Sequence, residues 1–358
     1  DVVVPAGNYT VSGQLTVDKA ARVRGATGDP KDVVITLTGT TAKHLLCVSN
    51  ADAVVSGLTL VGGQGAWGTT EDGEGRNTLV TAGTISDCVV RGATLLSPGN
   101  NNNQYTSAVC LNGADAVMTR CVVSNNTVSG SNSSSAAKVA VTGVHVMNGG
   151  RLSYSLVAHN RDVGARDSGV NVMKNATVLI DGGSMDHCTV AFNRAPNVGG
   201  VRLNNNSTAT KCVLIDNKSG YRQYDYDEIQ PGSAAKFTDC VIAPANPWEL
   251  FVDFGREDLR AAPGGELDTG DVGYAFVGAD EAFVGIRVSD GRAIVPATLT
   301  LQPAVKGIAG VAKYRWNFGD GSVEEETAET SITHEFTTAG RKTVTLSALD
   351  AGGAVLKT

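Results

Sequence analysis

The stretch HCTVAFNR, residues 187–194, sets a histidine beside a cysteine and an arginine directly after an asparagine. Taken alone, it suggests a nucleophile with its base. The layout is repeated, however, in three further copies and two weaker ones: RCVVSNNT (120–127), YSLVAHNR (154–161), KCVLIDNK (211–218), DCVVRGAT (87–94) and DCVIAPAN (239–246). A recurring unit of short strands at a period of a few tens of residues is typical of a solenoid.

Each copy carries the same sequence of residue types around its small anchor residue. A polar residue precedes the anchor, an aliphatic residue follows two positions later, and four copies have asparagine five positions later. Alternate residues of a strand face the same side, so the anchor and the aliphatic residue are predicted to stack inside the solenoid. The asparagines should form a ladder that satisfies backbone groups at a turn. The anchors and the ladder residues are Cys88, Cys121, Ser155, Cys188, Cys212 and Cys240, and Asn126, Asn160, Asn193 and Asn217.

This repeat answers the question that HCTVAFNR raises. We interpret His187 as an outward structural residue, because the other copies place Asp, Arg, Tyr or Lys at its position, and Cys188 as a buried thiol. The chain has seven cysteines, an odd number that excludes complete pairing within one chain. Its net charge of -7 argues against nucleic acid or an anionic membrane as partner. No apolar run approaches the ~18 residues needed to span a bilayer, so we expect no membrane insertion.

Residues 1 to about 270 resemble the bacterial right-handed parallel β-helix proteins with a pectin-lyase-like fold. The repeat carries the resemblance, together with the opening VVVPAGNYTV and the closing DFGREDLRAAPGGELDTG. After about residue 280, YRWNFGDGS (314–322) and THEFTTAGRKTVTL (333–346) resemble PKD domains. That resemblance implies an Ig-like β-sandwich that serves as a spacer or adhesion module in secreted bacterial proteins, with Trp316 in its core.

The expected fold is therefore all-β, a right-handed parallel β-helix solenoid followed by a PKD-type Ig-like sandwich. The predicted boundaries are 1–270 for the β-helix, 271–281 for a linker and 282–358 for the sandwich. The resemblances imply an extracellular or cell-surface bacterial protein. Both ends of the sequence look abrupt, so we expect further domains of a longer surface protein as partners.

The most informative functional signal is a set of insertions that follow the asparagine position in successive coils. Insertions at one point of a solenoid repeat project from one face, which is often the binding face. Arg161, Arg194 and Lys218 share the position after the asparagine and should stack about 5 Å apart, where like charges repel unless an anion intervenes. The predicted ligand-binding residues on this face are Trp67, Tyr105, Arg161, Arg166, Arg194, Lys218, Tyr221, Arg222, Tyr224, Tyr226 and Asp227.

Arginine pairs with carboxylate or sulfate in a bidentate manner, and aromatic rings stack on the apolar faces of sugars. The expected function is therefore binding of an extended, partly acidic extracellular polysaccharide, as in adhesion or glycan recognition. In the simpler interpretation, Asp162, Asp167 and Asp225 neutralise the basic residues and the aromatic residues pack the loops. No cofactor is predicted; a Ca²⁺ site in 71–74 or 224–228 remains open, although no EF-hand spacing supports it.

The alternative function is a polysaccharide lyase or glycoside hydrolase acting on an acidic glycan, so the sequence leaves open whether the protein is an enzyme. VHV, VNV and VRL each bracket one residue predicted to face outward: His145, Asn171 and Arg202. A lyase needs a base, here His145, and a group that neutralises the carboxylate, here Arg202 or Asn171. A hydrolase needs two carboxylates, for which the candidates are Asp162, Asp167, Asp225 and Asp227.

The catalytic motifs of pectate lyases and polygalacturonases do not occur in the chain, so the resemblance transfers no catalytic residue. A third interpretation makes the chain a passive segment of a long surface stalk.

Overall fold

In the computed structural model the chain forms two compact units, residues 1–244 with 270–276 and residues 245–269 with 277–358. Residues 245–269, which the sequence-based boundaries put at the end of the first domain, group with the second unit. The residues that the structure describes are 1–38, 44–63, 75–96, 105–129, 139–163, 176–195, 197–220, 226–230, 236–245, 250–253, 258–262, 267, 272–273, 283–288, 294–306, 308–340 and 342–358.

Three parallel β-sheets run along the first unit, and between residues 75 and 219 every coil contributes strands to each of them in turn. Sheet 1 contains β1 (Val2–Val4), β3 (Leu15–Val17), β4 (Arg22–Gly25), β6 (Leu46–Ser56), β8 (Gly75–Ser86), β11 (Tyr105–Asn112), β12 (Ala116–Thr119), β15 (Val139–Met147), β16 (Arg151–Ser153), β19 (Ala176–Asp181), β20 (Ser184–Asp186), β23 (Val198–Asn204), β24 (Thr208–Thr210) and β27 (Phe237–Thr238).

Sheet 2 contains β2 (Gly7–Val11), β5 (Val33–Leu37), β7 (Thr59–Gly62), β9 (Val89–Arg91), β13 (Val122–Ser124), β17 (Leu156–Ala158), β21 (Thr189–Ala191), β25 (Val213–Ile215) and β28 (Val241–Ile242). Sheet 3 contains β10 (Thr94–Leu96), β14 (Thr127–Ser129), β18 (Arg161–Asp162), β22 (Arg194–Ala195) and β26 (Lys218–Ser219). One turn of 3₁₀ helix spans Pro30–Asp32. The predicted right-handed parallel β-helix is confirmed, because consecutive coils pair in parallel around one axis.

The interior of the solenoid is built from the aliphatic positions of the repeat. Val123, Val157 and Val190 are register partners on adjacent strands of sheet 2 and are completely buried. The anchor thiols Cys88, Cys121, Cys188 and Cys212 are buried beside them, and all seven cysteines are free. Burial disfavours the thiolate, so it raises the pKa of Cys121 and Cys212. These thiols therefore serve as small core side chains, as the repeat predicted.

The predicted asparagine ladder is present and completely buried. The Nδ2 atom of each asparagine donates to the Oδ1 atom of the asparagine in the next coil, at 2.9 Å from Asn126 to Asn160, 3.0 Å from Asn160 to Asn193 and 2.9 Å from Asn193 to Asn217. Each Nδ2 also donates to a backbone carbonyl of the preceding coil, such as that of Val157. The ladder thus satisfies turn groups that would otherwise be buried without partners.

The corner between sheets 1 and 2 is occupied by the polar column that precedes the anchors. Its residues have a positive φ, for example 49° at Arg120 and 46° at His187. The side chains pair along the column: Arg120 donates to both carboxylate oxygens of Asp87, at 2.8 and 2.7 Å, and the Tyr154 ring stacks on His187 at 4.7 Å. His187 is therefore part of a structural corner, in agreement with the interpretation from the repeat.

The second unit is an antiparallel β-sandwich. One sheet contains β31 (Phe283–Val288), β32 (Ala297–Lys306) and β35 (Ile332–Phe336), and the other contains β33 (Lys313–Asn317), β34 (Glu325–Thr327), β36 (Thr345–Leu349) and β37 (Val355–Lys357). A separate pair is formed by β29 (Phe251–Asp253) and β30 (Asp258–Ala261). The predicted core residue Trp316 is completely buried among apolar side chains of both sheets.

The turn after β33 is held by a small polar cluster. Gly319 has φ 66°, and a Cβ there would lie 2.2 Å from the Thr343 carbonyl oxygen, so only glycine fits. Asp320 bonds the His334 Nε2 atom at 2.8 Å and accepts from the Ser322 N–H at 3.0 Å. The hydrogen bond from His334 lowers the pKa of Asp320. The His334 ring stacks on Phe318, so Asp320 and His334 have a structural role in this turn.

No helix among the described residues is long and apolar enough to cross a membrane.

Candidate functional site

The basic column predicted from the repeat exists in sheet 3. Arg161 of β18 is the register partner of Arg194 of β22, and Arg194 is the register partner of Lys218 of β26. All three side chains are exposed. Since adjacent parallel strands lie about 4.8 Å apart, the three cationic residues form a row along the solenoid axis.

The third member of this row is neutralised by its neighbours. The Lys218 Nζ atom lies 3.0 Å from Asp227 and 3.6 Å from Asp216. The hydrogen bond to Asp227 is the main reason why the pKa of Lys218 is raised. Asp227 also accepts from the Ser219 N–H at 2.8 Å. The carboxylate that we predicted to bind ligand is therefore already engaged with Lys218 and with the backbone of β26.

Arg161 and Arg194 differ from Lys218 in this respect. Within the described part of the chain, no carboxylate forms an ion pair with either guanidinium group. Two like charges on neighbouring strands repel, and the repulsion is reduced only by solvent, salt or an anion. This pair of arginines is hereafter called the arginine pair, and it is the part of the predicted ligand face that the structure assembles.

The structure corrects the role proposed for Asp162. This carboxylate was a candidate both for catalysis and for neutralising the basic column on the loop face. It follows the exposed Arg161 in the two-residue strand β18 and is the register partner of Val128, a core residue. Because strand side chains alternate, Asp162 lies on the buried side and is only 8% exposed. A polysaccharide lying on the outer surface does not reach it.

His145 is also corrected. It was predicted to face outward as the base of a lyase, but its side chain is completely buried. Burial, and secondarily the nearby charge of Arg76, lowers its pKa to about 3. Its register partners on either side, Cys110 and Leu179, are buried as well. The outer face of sheet 1 is therefore covered at this point, which removes His145 from contact with a substrate in solution.

The suggested pairing of His145 with Arg202 also fails. The residue between His145 and Arg202 in the same column is Leu179, and Asn171 lies outside the described residues. His145 and Arg202 are thus two strands apart, about 10 Å. Arg202 is half-buried, its Nε donates to Asn204 Oδ1 at 3.0 Å, and burial lowers its pKa despite the opposing charge of Asp181. The two residues do not form an acid–base site.

The remaining predicted residues contribute little to the described site. Tyr226 is half-exposed and its backbone bridges to Val198 in parallel. The backbone of Tyr105 opens β11, whereas its side chain is not described. No group of three metal-binding side chains occurs in the parts of the chain covered by the structure. The following predicted residues lie outside the described residues: Trp67, Arg166, Asp167, Tyr221, Arg222, Tyr224 and Asp225.

One residue of the site was missed by the sequence. Glu228 is the hydrogen-bond partner of Asn217 at the C-terminal end of the asparagine ladder. Burial raises its pKa to about 7, although the Asn217 hydrogen bonds and the charge of Lys218 act in the opposite direction. Glu228 lies in an insertion that no other coil shares, so a comparison of repeat copies gives no signal for it.

Comparison with known proteins gives a family only for the second unit. Residues 289–358 match the family model of the PKD domain. PKD domains are typical of extracellular or surface proteins. No curated protein matches the chain, and no solved structure matches it.

Proposed function

We propose that this protein binds an acidic extracellular polysaccharide through the arginine pair and the loops around it, as a secreted or cell-surface β-helix with a PKD spacer. The observation that carries the proposal is that Arg161 and Arg194 lie in register, exposed, and without an ion-pair partner among the described residues. Such a pair is stabilised by a ligand that presents successive negative charges.

The orientation of the row constrains the ligand. The row runs along the solenoid axis, across the strands, so a polymer that contacts both arginines lies parallel to that axis. A repeating anionic group at about the strand spacing of 4.8 Å would meet one guanidinium per coil. Uronate and sulfated polysaccharides present such groups, and each guanidinium can donate two hydrogen bonds to one carboxylate or sulfate.

Two further points support an extracellular setting. The PKD match at residues 289–358 is typical of extracellular or surface proteins. We also propose that the first unit is a β-helix of the bacterial pectin-lyase-like type, which agrees with glycan as the ligand class. What favours binding over catalysis is the burial of the proposed base, His145, and of Asp162, one of the four proposed carboxylates.

The experiment is a glycan array probed with the wild-type protein and with the Arg161→Ala/Arg194→Ala double variant. We expect wild type to retain uronate or sulfated polysaccharides and the double variant to lose most of this signal. Arg151→Ala is the matched control, because Arg151 is equally exposed but lies on β16 of sheet 1. Equal retention by wild type and the double variant would argue against the proposal.

The same polysaccharides, incubated with the protein and followed for new reducing ends and unsaturated products, test the enzyme alternative. We expect no turnover. Product formation would contradict a purely binding function and would favour the enzyme alternative.

A further inference from the structure

The asparagine ladder ends on a carboxyl group. Glu228 Oε1 accepts from the Asn217 N–H at 3.1 Å, and Oε2 accepts from Asn217 Nδ2 at 2.6 Å. The preceding steps use the same two donors: the N–H and Nδ2 of Asn193 both donate to Asn217 Oδ1, at 3.1 and 2.9 Å. Glu228 thus occupies the position of the next ladder residue.

The segment that carries Glu228, residues 226–230, is called the strap. It lies beside β23 as a further coil would, with parallel bridges from Val198 to Tyr226 and from Val201 to Ile229. Three successive N–H groups of β23 donate to carbonyl oxygens of the strap: Gly199 to Tyr226 at 3.0 Å, Gly200 to Asp227 at 2.7 Å and Val201 to Glu228 at 2.8 Å. The strap therefore covers the C-terminal edge of the ladder with both side-chain and backbone hydrogen bonds.

Among the described residues, the charged groups that shift the pKa of Glu228 come from two elements. Lys218 of β26 lowers the pKa of Glu228, and Asp227 of the strap itself raises it. β23 approaches the strap with the backbone of Gly199 and Gly200 rather than with charged side chains. Burial outweighs these influences, so the pKa of Glu228 lies near 7 instead of its ordinary value of 4.5.

We propose that the strap is a pH-dependent latch, closed on the ladder while the Glu228 carboxyl is neutral and loosened when it ionises. A neutral carboxyl keeps one carbonyl oxygen, which accepts from Asn217 as the amide oxygens do elsewhere in the ladder, whereas its hydroxyl oxygen is a weaker acceptor for the second Asn217 donor. An ionised carboxyl in the same place loses hydration that the hydrogen bonds and Lys218 replace only in part.

The direction of the pH effect follows from proton linkage. In the open strap Glu228 is hydrated and titrates near 4.5, whereas in the closed strap it titrates near 7. The closed state binds more protons between these values, so its stabilisation is complete below about pH 4.5 and falls as the pH rises through 7. With these two pKa values, the opening constant increases about tenfold between pH 6 and pH 8.

Opening of the strap also affects the basic residues in sheet 3; this part of the inference rests on the proposed function. Asp227, the closest partner of Lys218, belongs to the strap. When the strap opens, the Lys218 ammonium group loses this partner and keeps only Asp216, at 3.6 Å, so it becomes more available as a third cation in register with the arginine pair. Binding of an acidic polysaccharide should then strengthen from pH 6 to pH 8.

The test is amide hydrogen exchange in wild type and in Glu228→Gln, corrected for the pH dependence of intrinsic exchange. In wild type, protection of the Gly199, Gly200 and Val201 amides should fall about tenfold from pH 6 to pH 8. In Glu228→Gln the protection should stay level, because the amide side chain remains neutral. The Asn160 amide, which donates to Asn193 within the ladder, is the internal control and should not change.

Equal pH dependence in the two proteins, or level protection in wild type, would overturn the latch. A ¹³C NMR titration of the Glu228 carboxyl in wild type gives a readout that does not depend on the variant, and a midpoint near 4.5 would also overturn it. Binding of polygalacturonate at both pH values separates this inference from the proposed function. If the strap-bonded amides lose protection but polygalacturonate does not bind at either pH, the proposed function is contradicted and the latch is still supported.

Discussion

At the scale of single residues, each ladder asparagine is buried and takes part in several hydrogen bonds at once. Asn193 is 1% exposed, donates to Asn217 and to the Val157 carbonyl, and accepts from both the N–H and the Nδ2 of Asn160. Removing one partner from a buried network leaves the others without hydrogen bonds, which costs more than the lost bonds themselves contribute. Each ladder position is therefore specified by chemistry and not only by size.

We predict that Asn193→Ala destabilises the β-helix by about 3 kcal/mol, because it leaves buried donors and a carbonyl without partners. Asn8→Ala, at an exposed position of β2, should change the unfolding free energy by less than about 0.5 kcal/mol. Urea unfolding followed by circular dichroism compares the two variants. Similar losses for both would mean that the ladder is not the stabilising network we describe.

His145 gives a second prediction at this scale. Its pKa of about 3, lowered by burial, means that the ring stays neutral in the folded protein while an unfolded chain would protonate it near 6.5. Stability supplied by the neutral buried ring is present above about pH 6.5 and is lost as the pH falls toward 3. In ¹H–¹³C NMR spectra the His145 ring signals should not shift between pH 8 and pH 5; a midpoint near 6.5 would place the ring in water.

At the scale of elements, the sequence predicted which strands stack but not which outer faces are covered. Alternation in VHV correctly separates His145 from the core valines, yet it cannot tell a solvated outer face from a covered one. In β18, by contrast, the outward residue is solvated: Arg161 is exposed, and Asp162, one residue later, is buried. Comparison of the repeat copies predicted which basic residues lie in register. The strap occurs only once in the chain, so no second copy could be compared to predict it.

The close approach of coils at the turn before β20 leads to a prediction about glycine. A Cβ on Gly183 would lie 2.5 Å from the Gly150 carbonyl oxygen, a backbone atom that cannot move away easily. Gly183→Ala should therefore destabilise the first unit by about 2 kcal/mol or more. Gly13→Ala is the matched control, because nothing lies within 4 Å of its Cβ, and it should be neutral or slightly stabilising. Equal thermal unfolding midpoints would contradict this packing.

At the scale of the whole molecule, the chain combines a parallel solenoid with an antiparallel sandwich, and each unit has its own core. Both fold classes were predicted from the sequence, since the repeat and the YRWNFGDGS segment each carry local patterns with a clear physical meaning. The boundary was predicted near residue 270, because the closing DFGREDLRAAPGGELDTG resembles the end of a β-helix protein, whereas residues 245–269 group with the second unit.

Because each unit has its own hydrophobic core, we predict that the second unit can unfold while the first stays folded. Trp316→Ala removes the largest fully buried side chain of the sandwich and should unfold the second unit, since such a truncation costs about 3–5 kcal/mol. The asparagine ladder belongs to the first unit, so protection of its amides in hydrogen exchange should persist in this variant. Loss of protection in both units would indicate that the first unit does not stay folded without the second.

The central functional claim is that stacking of the coils makes Arg161 and Arg194 a single binding site. The most direct measurement is a double-mutant cycle on polygalacturonate affinity, with Arg161→Ala, Arg194→Ala and the double variant, and with Arg161 and Arg151 as the control pair. We expect either single change to remove most of the affinity. The loss of binding free energy in the double variant should therefore be smaller than the sum of the two single losses by at least about 0.5 kcal/mol. For the control pair the two losses should add. Undiminished affinity in the double variant, or strictly additive losses at Arg161 and Arg194, would contradict the claim.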